Sequence, residues 1–484
     1  MVLGVLTPIG PASSTAPPAR AVAPRQACSE NPFTKGFGAY VAQRWPRNRI
    51  SAAVYDDATG CEYTYRRDHR LTTASVIKIE IMAAVLLRAQ RAGRGLTQWE
   101  QDRIWPMITE SANTPASELW NSLGGVPAMA AFERELGLTE TVAAGPTWGL
   151  TTTSARDRNR VLRQVLLGEY GPLNATSQAI ARSYMLKVVP SQRWGATAGV
   201  PAGWSVPLKN GFFDSRCCNW RINTSAVVER PDGTNYALTV LSDGWSSDTP
   251  GIEAVQLVSR VVNAATSKPF GPFASTTQFV RNQYRDVLGR APTFGEIYYG
   301  IQYVGHSSTR SAALIASLIQ SPELGPSGLF VLRLYLGGLG QLPGASSYRS
   351  RRDRLRLGLS SQVAQAQAVA ERMGGGLGDG AFVDLVYERA LGRSADPSGR
   401  AYWLRRLDAG APRGAVLMAL TESSEARWER AAEVVVAATV FSMLGRPPTD
   451  HGLARWTDQL ESGRSLTALV DDLFRRDEYR ELHS

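Results

Sequence analysis

The rhythm of apolar and polar positions changes once along the chain. In the first half it alternates between the helical period of 3.6 and the strand period of 2. Phe33 to Trp45 reads as an amphipathic helix. Ile50 to Tyr55 and Cys61 to Arg66 read as two strands around the turn Asp56–Gly60. A long apolar helix then runs from Ser75 to about Arg91 and is ended by Gly93. Pro115 to Leu123 reads as a further helix, and Thr151 is a suitable N-cap for one reaching Leu167. Strands follow at Val206–Lys209, Arg221–Glu229 and Tyr236–Ser242, the last two joined by the turn Pro231-Asp232-Gly233, and Ile252–Ala265 closes the set as a helix. A helix, two strands, a helical middle, three strands and a final helix predict an α+β domain: a five-stranded antiparallel sheet flanked by helices, with an all-helical lobe.

After a Pro- and Gly-containing linker at 266–275 the strand rhythm disappears and the text repeats. Leu288-Gly289-Arg290, Leu339-Gly340-Gln341, Leu391-Gly392-Arg393 and Leu444-Gly445-Arg446 recur at spacings of 51, 52 and 53 residues. Three of these units later carry an acidic ending: Ser321-Pro322-Glu323, Ser424-Glu425 and Asp477-Glu478. A fixed period near 50 is the signature of stacked supersecondary units. Each Gly is expected to close a helix in a left-handed C′ position. The organisation is therefore 1–27 as leader or tail, 28–265 as the α+β domain, and 276–484 as a separate all-α domain of about four units. The linker and the repeat predict that the second domain folds separately, and no candidate catalytic residues stand out in it.

Composition adds little. The chain has 484 residues, 43% hydrophobic and 20% charged, with a formal net charge of +10. This is a globular composition of a size that calls for more than one domain. The positive charge is dispersed, except for Arg349, Arg351, Arg352, Arg354 and Arg356, which read as a solvated face in an irregular stretch; no nucleic-acid partner is indicated. No run of 18 apolar residues marks a membrane span. Residues 1–27 are apolar and then rich in small residues and Pro. They read as a signal peptide without its basic start, ending near Ala21-Val22-Ala23, or else as a disordered tail. None of the four cysteines, Cys28, Cys61, Cys217 and Cys218, forms a C-x-x-C pair, so no metal is expected. The helix from Phe33 and the strand from Ile50 should run antiparallel, which returns Cys61 to Cys28 and predicts a disulfide between them. Such a bond needs an oxidising compartment and fits export. Cys217 and Cys218 are expected to stay free.

The sharpest chemical signal is Ser75-Val76-Ile77-Lys78 at the start of the apolar helix. Spacing i, i+3 puts Lys78 on the face of Ser75, and a lysine desolvated there can lose its proton and act as base. Two further motifs follow in order: Ser111-Ala112-Asn113 before a helix, and Lys209-Asn210-Gly211 at the end of a strand. The set S-x-x-K, S-x-N, K-x-G resembles the penicillin-recognising serine hydrolases, above all the class A β-lactamases, over about residues 28 to 265. The third C-terminal unit, Phe382 to Arg427, resembles a helical repeat family known only as a domain of unknown function. The first resemblance implies a nucleophile at Ser75 and a proton acceptor or relay at Lys78. It implies proton delivery to the leaving nitrogen by Ser111, and orientation of Lys78 and substrate by Asn113. It implies a carboxylate site at Lys209 and Asn210, beside Gly211. The backbone N–H groups of Ser75 and Phe212 would form the oxyanion hole. Arg221 is a further candidate for the carboxylate. No cofactor is implied. His69, the one histidine of this domain, sits between Asp68 and Arg70 as a surface residue, which argues against a Ser-His-Asp triad.

Four departures qualify the resemblance. Ala112 replaces the Asp of S-D-N, and Asn210 the Thr of K-T-G. The stretch between Lys78 and Ser111 is short, which lowers one wall of the cleft. The segment Thr141–Leu150 lacks the Glu that positions the deacylating water in class A enzymes; Glu140 is the nearest acid. The expected function is an acyl-enzyme at Ser75 with β-lactams or cell-wall D-Ala-D-Ala-like peptides, turning over slowly. The alternatives are a D,D-carboxypeptidase or endopeptidase, and a catalytically silent binding or adhesion module with an envelope or surface partner for the repeats.

Overall fold

The computed structural model describes residues 27–215, 219–267, 271–305, 307–374 and 376–483. Helix α1 (Lys35–Arg44) starts where the Thr34 side chain accepts from the Phe37 N–H. It leads into β1 (Arg49–Asp56) and β2 (Cys61–Tyr65), paired in register from Ala52↔Tyr65 to Asp56↔Cys61. A two-residue strand β3 (Leu71–Thr72) precedes a 3₁₀ turn at Ala74–Ile77 and the central helix α2 (Lys78–Arg91). Helices α3 (Gln98–Thr109), α4 (Asn113–Leu123) and α5 (Gly125–Glu135) come next, then β4 (Thr152–Thr153), α6 (Ala155–Leu166) and α7 (Ala175–Leu186). Strands β5 (Leu208–Ser215), β6 (Asn219–Glu229) and β7 (Asn235–Asp243) and helix α8 (Asp248–Thr266) complete the domain. The sheet order is β2-β1-β7-β6-β5, every pair antiparallel, so β5 is an edge strand. Helices α1 and α8 cover one face and α6 the other. Helix α2 buries nearly its whole circumference, because α3 to α7 surround it.

Cys28 and Cys61 form the expected disulfide, with Cα atoms 5.8 Å apart. It closes a loop spanning 33 residues, for which chain entropy gives about 3–4 kcal/mol. Cys217 and Cys218, and all but the last residue of the leader at 1–27, lie outside the described residues.

Several boundaries differ from expectation. The helix after Thr151 is capped instead by Ser154, whose Oγ accepts from the Asp157 N–H, because Thr152 and Thr153 pair with β3. Strand β5 begins at Leu208 and continues to Ser215. Lys209-Asn210-Gly211 therefore opens the strand rather than ending it, held by pairing with β6 from Leu208↔Ala226 to Ser215↔Asn219. The arginine-rich stretch is helical (Ala345–Arg356), and Arg352 is buried, its Nη1 donating to the carbonyls of Asp286 and Val287 at 2.9 and 3.3 Å. That arginine holds the end of an earlier unit.

The C-terminal region is all helical among the described residues, and its core is continuous with that of the first domain. Gly289, Gly340, Gly392 and Gly445 all adopt φ between 63° and 71° at helix ends. The arginines after three of them reach the acidic endings: Arg290–Glu323, Arg393–Glu425 and Arg446–Glu478, each at 2.6 Å. Gln341 in the second unit lacks such a charge. The linker is less open than expected. Phe273 is buried against Phe279 and Tyr479, with ring centroids at 5.2 and 6.2 Å. Phe294 of the helix Phe294–Val304 seats on Phe37 and Tyr40 of α1, at 5.5 and 5.0 Å. Among the described residues no helix is long and apolar enough to cross a membrane.

Candidate active site

Ser75 sits in the 3₁₀ turn just ahead of α2, not in the α-helix itself. The preceding Ala74 has φ +47°, a left-handed conformation that costs a non-Gly residue about 1–3 kcal/mol. Neighbouring elements hold it there. Asn223 of β6 donates from Nδ2 to the carbonyls of Thr72 and Thr73 at 2.9 and 3.0 Å, and its Oδ1 accepts from the Ser242 N–H. The Thr73 N–H donates to the Thr151 carbonyl at 2.8 Å. On the other side β5 presses its backbone into the turn. A Cβ on Gly211 would lie 2.8 Å from the amide nitrogens of Ser75 and Val76, so only glycine fits. Phe212, the next residue, lines the cleft with Ser75. Its position on an edge strand suits the second donor of an oxyanion hole, since alternate N–H groups of such a strand have no ladder partner.

Lys78 is fully buried at the start of α2. Its Nζ donates to the Ser111 carbonyl at 2.6 Å, to Asn113 Oδ1 at 2.9 Å and to Ser111 Oγ at 3.3 Å. Burial pulls its pKa down to about 7. Lys209 reaches in from β5, also fully buried, and donates to Ser111 Oγ at 2.9 Å and to the Asn210 carbonyl at 2.8 Å. Burial, and then the neighbouring charge of Lys78, hold Lys209 well below the ordinary lysine range. Ser111 itself has φ +64°. Its hydroxyl accepts from both lysines, so its one hydrogen is left to be donated elsewhere. The three motifs thus converge on one hydroxyl.

Two expected residues are placed differently. Asn210 is fully buried and is not among the residues that line the cleft: its Nδ2 donates to the carbonyls of Gln192 and Trp194 at 2.7 and 3.1 Å. Arg221 is 7% exposed; its Nε donates to Thr72 Oγ1 at 2.7 Å and its Nη1 to Ser215 Oγ. Its guanidinium braces the strand leading to Ser75 and does not line the cleft. Glu140 is likewise engaged, with Arg70 at 2.9 Å and with the capping hydroxyl of Ser154.

The cleft over Ser75 has a volume of about 350 Å³. Ser117, Trp148, Leu150, Phe212 and Phe213 are among its walls, and no Asp or Glu is among the described residues that line it. Trp148, not singled out from the sequence, lies with its ring 4.9 Å from Lys78 Nζ and donates from Nε1 to Ser117 Oγ at 3.1 Å. It lies in the Thr141–Leu150 segment that lacks an acid, and its apolar ring carries no signal of the carboxylate chemistry expected there. No cluster able to hold a metal ion occurs among the described residues.

Residues 99–266 match the model of the β-lactamase enzyme family; Ser111, Asn113 and Lys209 fall inside the match, and Ser75 and Lys78 lie outside it, on its N-terminal side. Residues 360–429 match a domain of unknown function (DUF4214). A β-lactamase of Streptomyces fradiae is 28% identical over 243 residues, covering 43% of this chain and 76% of that protein. Among solved structures, an ancestral class A β-lactamase is 26% identical with a TM-score of 0.40, covering 46% of this chain and 96% of its own. A variant of PBP-A in acyl-enzyme complex with penicillin G is 23% identical with a TM-score of 0.41, covering 46% and 92%. The N-terminal domain is therefore similar to the β-lactamase enzyme family, and the segment 360–429 to the domain of unknown function.

Proposed function

We propose that the protein is a serine hydrolase that forms an acyl-enzyme at Ser75 with β-lactams or cell-wall D-Ala-D-Ala-like peptides. The observation that carries this reading is the convergence of Lys78 and Lys209 on the Ser111 hydroxyl, with Ser75 in the turn that leads directly into the Lys78 helix. Lys78 with a pKa of about 7 is substantially neutral near neutrality and can take the Ser75 proton. Ser75 Oγ then bonds to the substrate carbonyl carbon, whose oxygen is received by the backbone N–H groups of Ser75 and Phe212. As the carbon–nitrogen bond breaks, Ser111 donates its hydrogen to the leaving nitrogen, and Lys78 returns a proton to Ser111. Lys209 supplies positive potential for a substrate carboxylate when it is protonated.

The cleft-lining residues offer no carboxylate to hold a deacylating water, which supports slow turnover and favours the D,D-peptidase alternative over an efficient β-lactamase. The disulfide at Cys28 and Cys61 supports an extracytoplasmic site of action. Nitrocefin turnover tests the slow step: a burst of about one equivalent followed by slow release is expected. Rapid continuous turnover without a burst would refute it.

A further inference from the structure

We propose that Trp148 is a positioning residue for the reaction at Ser75, its indole forming the wall that shields the Lys78 amine from water and so governs its protonation. The inference deepens the acyl-enzyme reading and rests on it for its catalytic meaning. Trp148 is 9% exposed although it lines an open cleft, and Lys78 behind it is wholly buried. The indole is fixed from two directions. Its Nε1 is anchored on Ser117 of α4 at 3.1 Å. Its backbone belongs to a loop tied at the base by the Val142–Thr152 pair, at 2.9 and 3.1 Å, and by the Ala144 N–H to Thr151 Oγ1 at 3.1 Å. The same Thr151 receives the Thr73 N–H, so one short stretch sets both the nucleophile turn and the shield.

Two effects of the ring on the amine oppose each other. Its π face, 4.9 Å from Nζ, attracts an ammonium. Its bulk removes the water that an ammonium needs. The second is larger, since burial is what pulls Lys78 down to about 7. Among the described residues the groups around the amine do not supply a competing charge of opposite sign. Lys209 of β5 is the charged neighbour, and Ser111 and Asn113 are neutral. Glu80, two residues along α2, is turned to Arg158 of α6. Asp157 is tied to Thr141 and the Glu140 N–H on that same side.

The chain has five lysines, Lys35, Lys78, Lys187, Lys209 and Lys268. The full chain labelled with ¹³C-lysine therefore gives few side-chain resonances, and a Lys78→Arg variant assigns the one of interest. Its titration is followed in the wild type, W148F and W148A, alongside the pH dependence of acylation by a fluorescent penicillin. In W148A the Lys78 midpoint rises by about one pH unit or more as water enters, and the acylation profile moves with it. In W148F, which keeps an apolar ring over the amine, it stays within about half a unit of wild type. A W148A midpoint matching the wild type overturns the proposal. If W148A fails to fold, W148Q, which puts a hydrated amide in the same place, is judged by the same criterion. A moved NMR midpoint with no acylation at any pH would instead defeat the acyl-enzyme reading and leave the shielding by Trp148 standing.

Discussion

At the scale of residues, two amines and one hydroxyl decide what the site can do. Lys78 and Lys209 are both buried and both donate to Ser111 Oγ, and no carboxylate is hydrogen-bonded to either amine among the described residues. Two ammonium groups so placed repel, which favours loss of a proton from one of them. Lys78 works as a base only when neutral, and its pKa is lowered to about 7. The rate of acylation should therefore climb roughly tenfold per pH unit below that value and level off above it. Stopped-flow acylation across pH 5 to 9 checks this. A profile still climbing tenfold per unit up to pH 9 would mean that the amine keeps an ordinary lysine pKa. The residue types of this site were legible, because S-x-x-K, S-x-N and K-x-G preserve their order along the chain. Their directions were only partly so. That Asn210 is tied to the carbonyls of Gln192 and Trp194 and that Arg221 braces Thr72 depends on how β5 and β6 pair and on what packs against them.

At the scale of elements, α1, β1, β2 and α2 were readable from apolar spacing alone. The turn that presents Ser75 was not, since its left-handed Ala74 is imposed by Asn223 and Gly211 from strands more than a hundred residues away. Helix α3 also went unread beyond a general helical middle, although its capping box of Thr97 and Glu100 is a local signal. Packing between α2, α5 and α6 confines three acids with one arginine: Glu80, Glu133 and Asp157 near Arg158. Burial, then the charge of Glu80, raises the Glu133 carboxyl from the ordinary 4.5 to about 7. The unfolded chain releases that proton near 4.5 while the folded chain keeps it to about 7. This group therefore withdraws stability as pH rises between those values, and its penalty is complete above the upper one. Glu133→Gln keeps an acceptor for the Ala143 N–H and removes the charge. It should stabilise the protein by on the order of 1–3 kcal/mol at pH 8 and by almost nothing at pH 4. Thermal melts at the two pH values read the difference; an equal effect at both would show that Glu133 ionises normally.

At the scale of the whole molecule, the halves are distinct in rhythm yet share one core. The Gly at each helix end was visible in the repeat. The pairing of each Arg with an acid some 32 or 33 residues on was not, because nothing in the local sequence around either partner gives them a reason to meet. The aromatic seam of Phe37, Tyr40 and Phe294 joins the repeats to α1, on the side of the sheet away from the Ser75 cleft. A chain ending at Ser267 should accordingly melt at a lower temperature, with this seam exposed, but acylate at a rate within about twofold of the full chain. Folded but unreactive truncated protein would show that the repeats act on the site. The central claim, covalent chemistry at Ser75, is tested most directly by mass spectrometry of the intact folded protein after exposure to benzylpenicillin, followed by peptide mapping. A mass increase of one whole ligand is expected, located on the peptide containing Ser75 and absent in Ser75→Ala. Folded wild-type protein that gains no mass, or gains it equally in the Ser75→Ala variant, would contradict it.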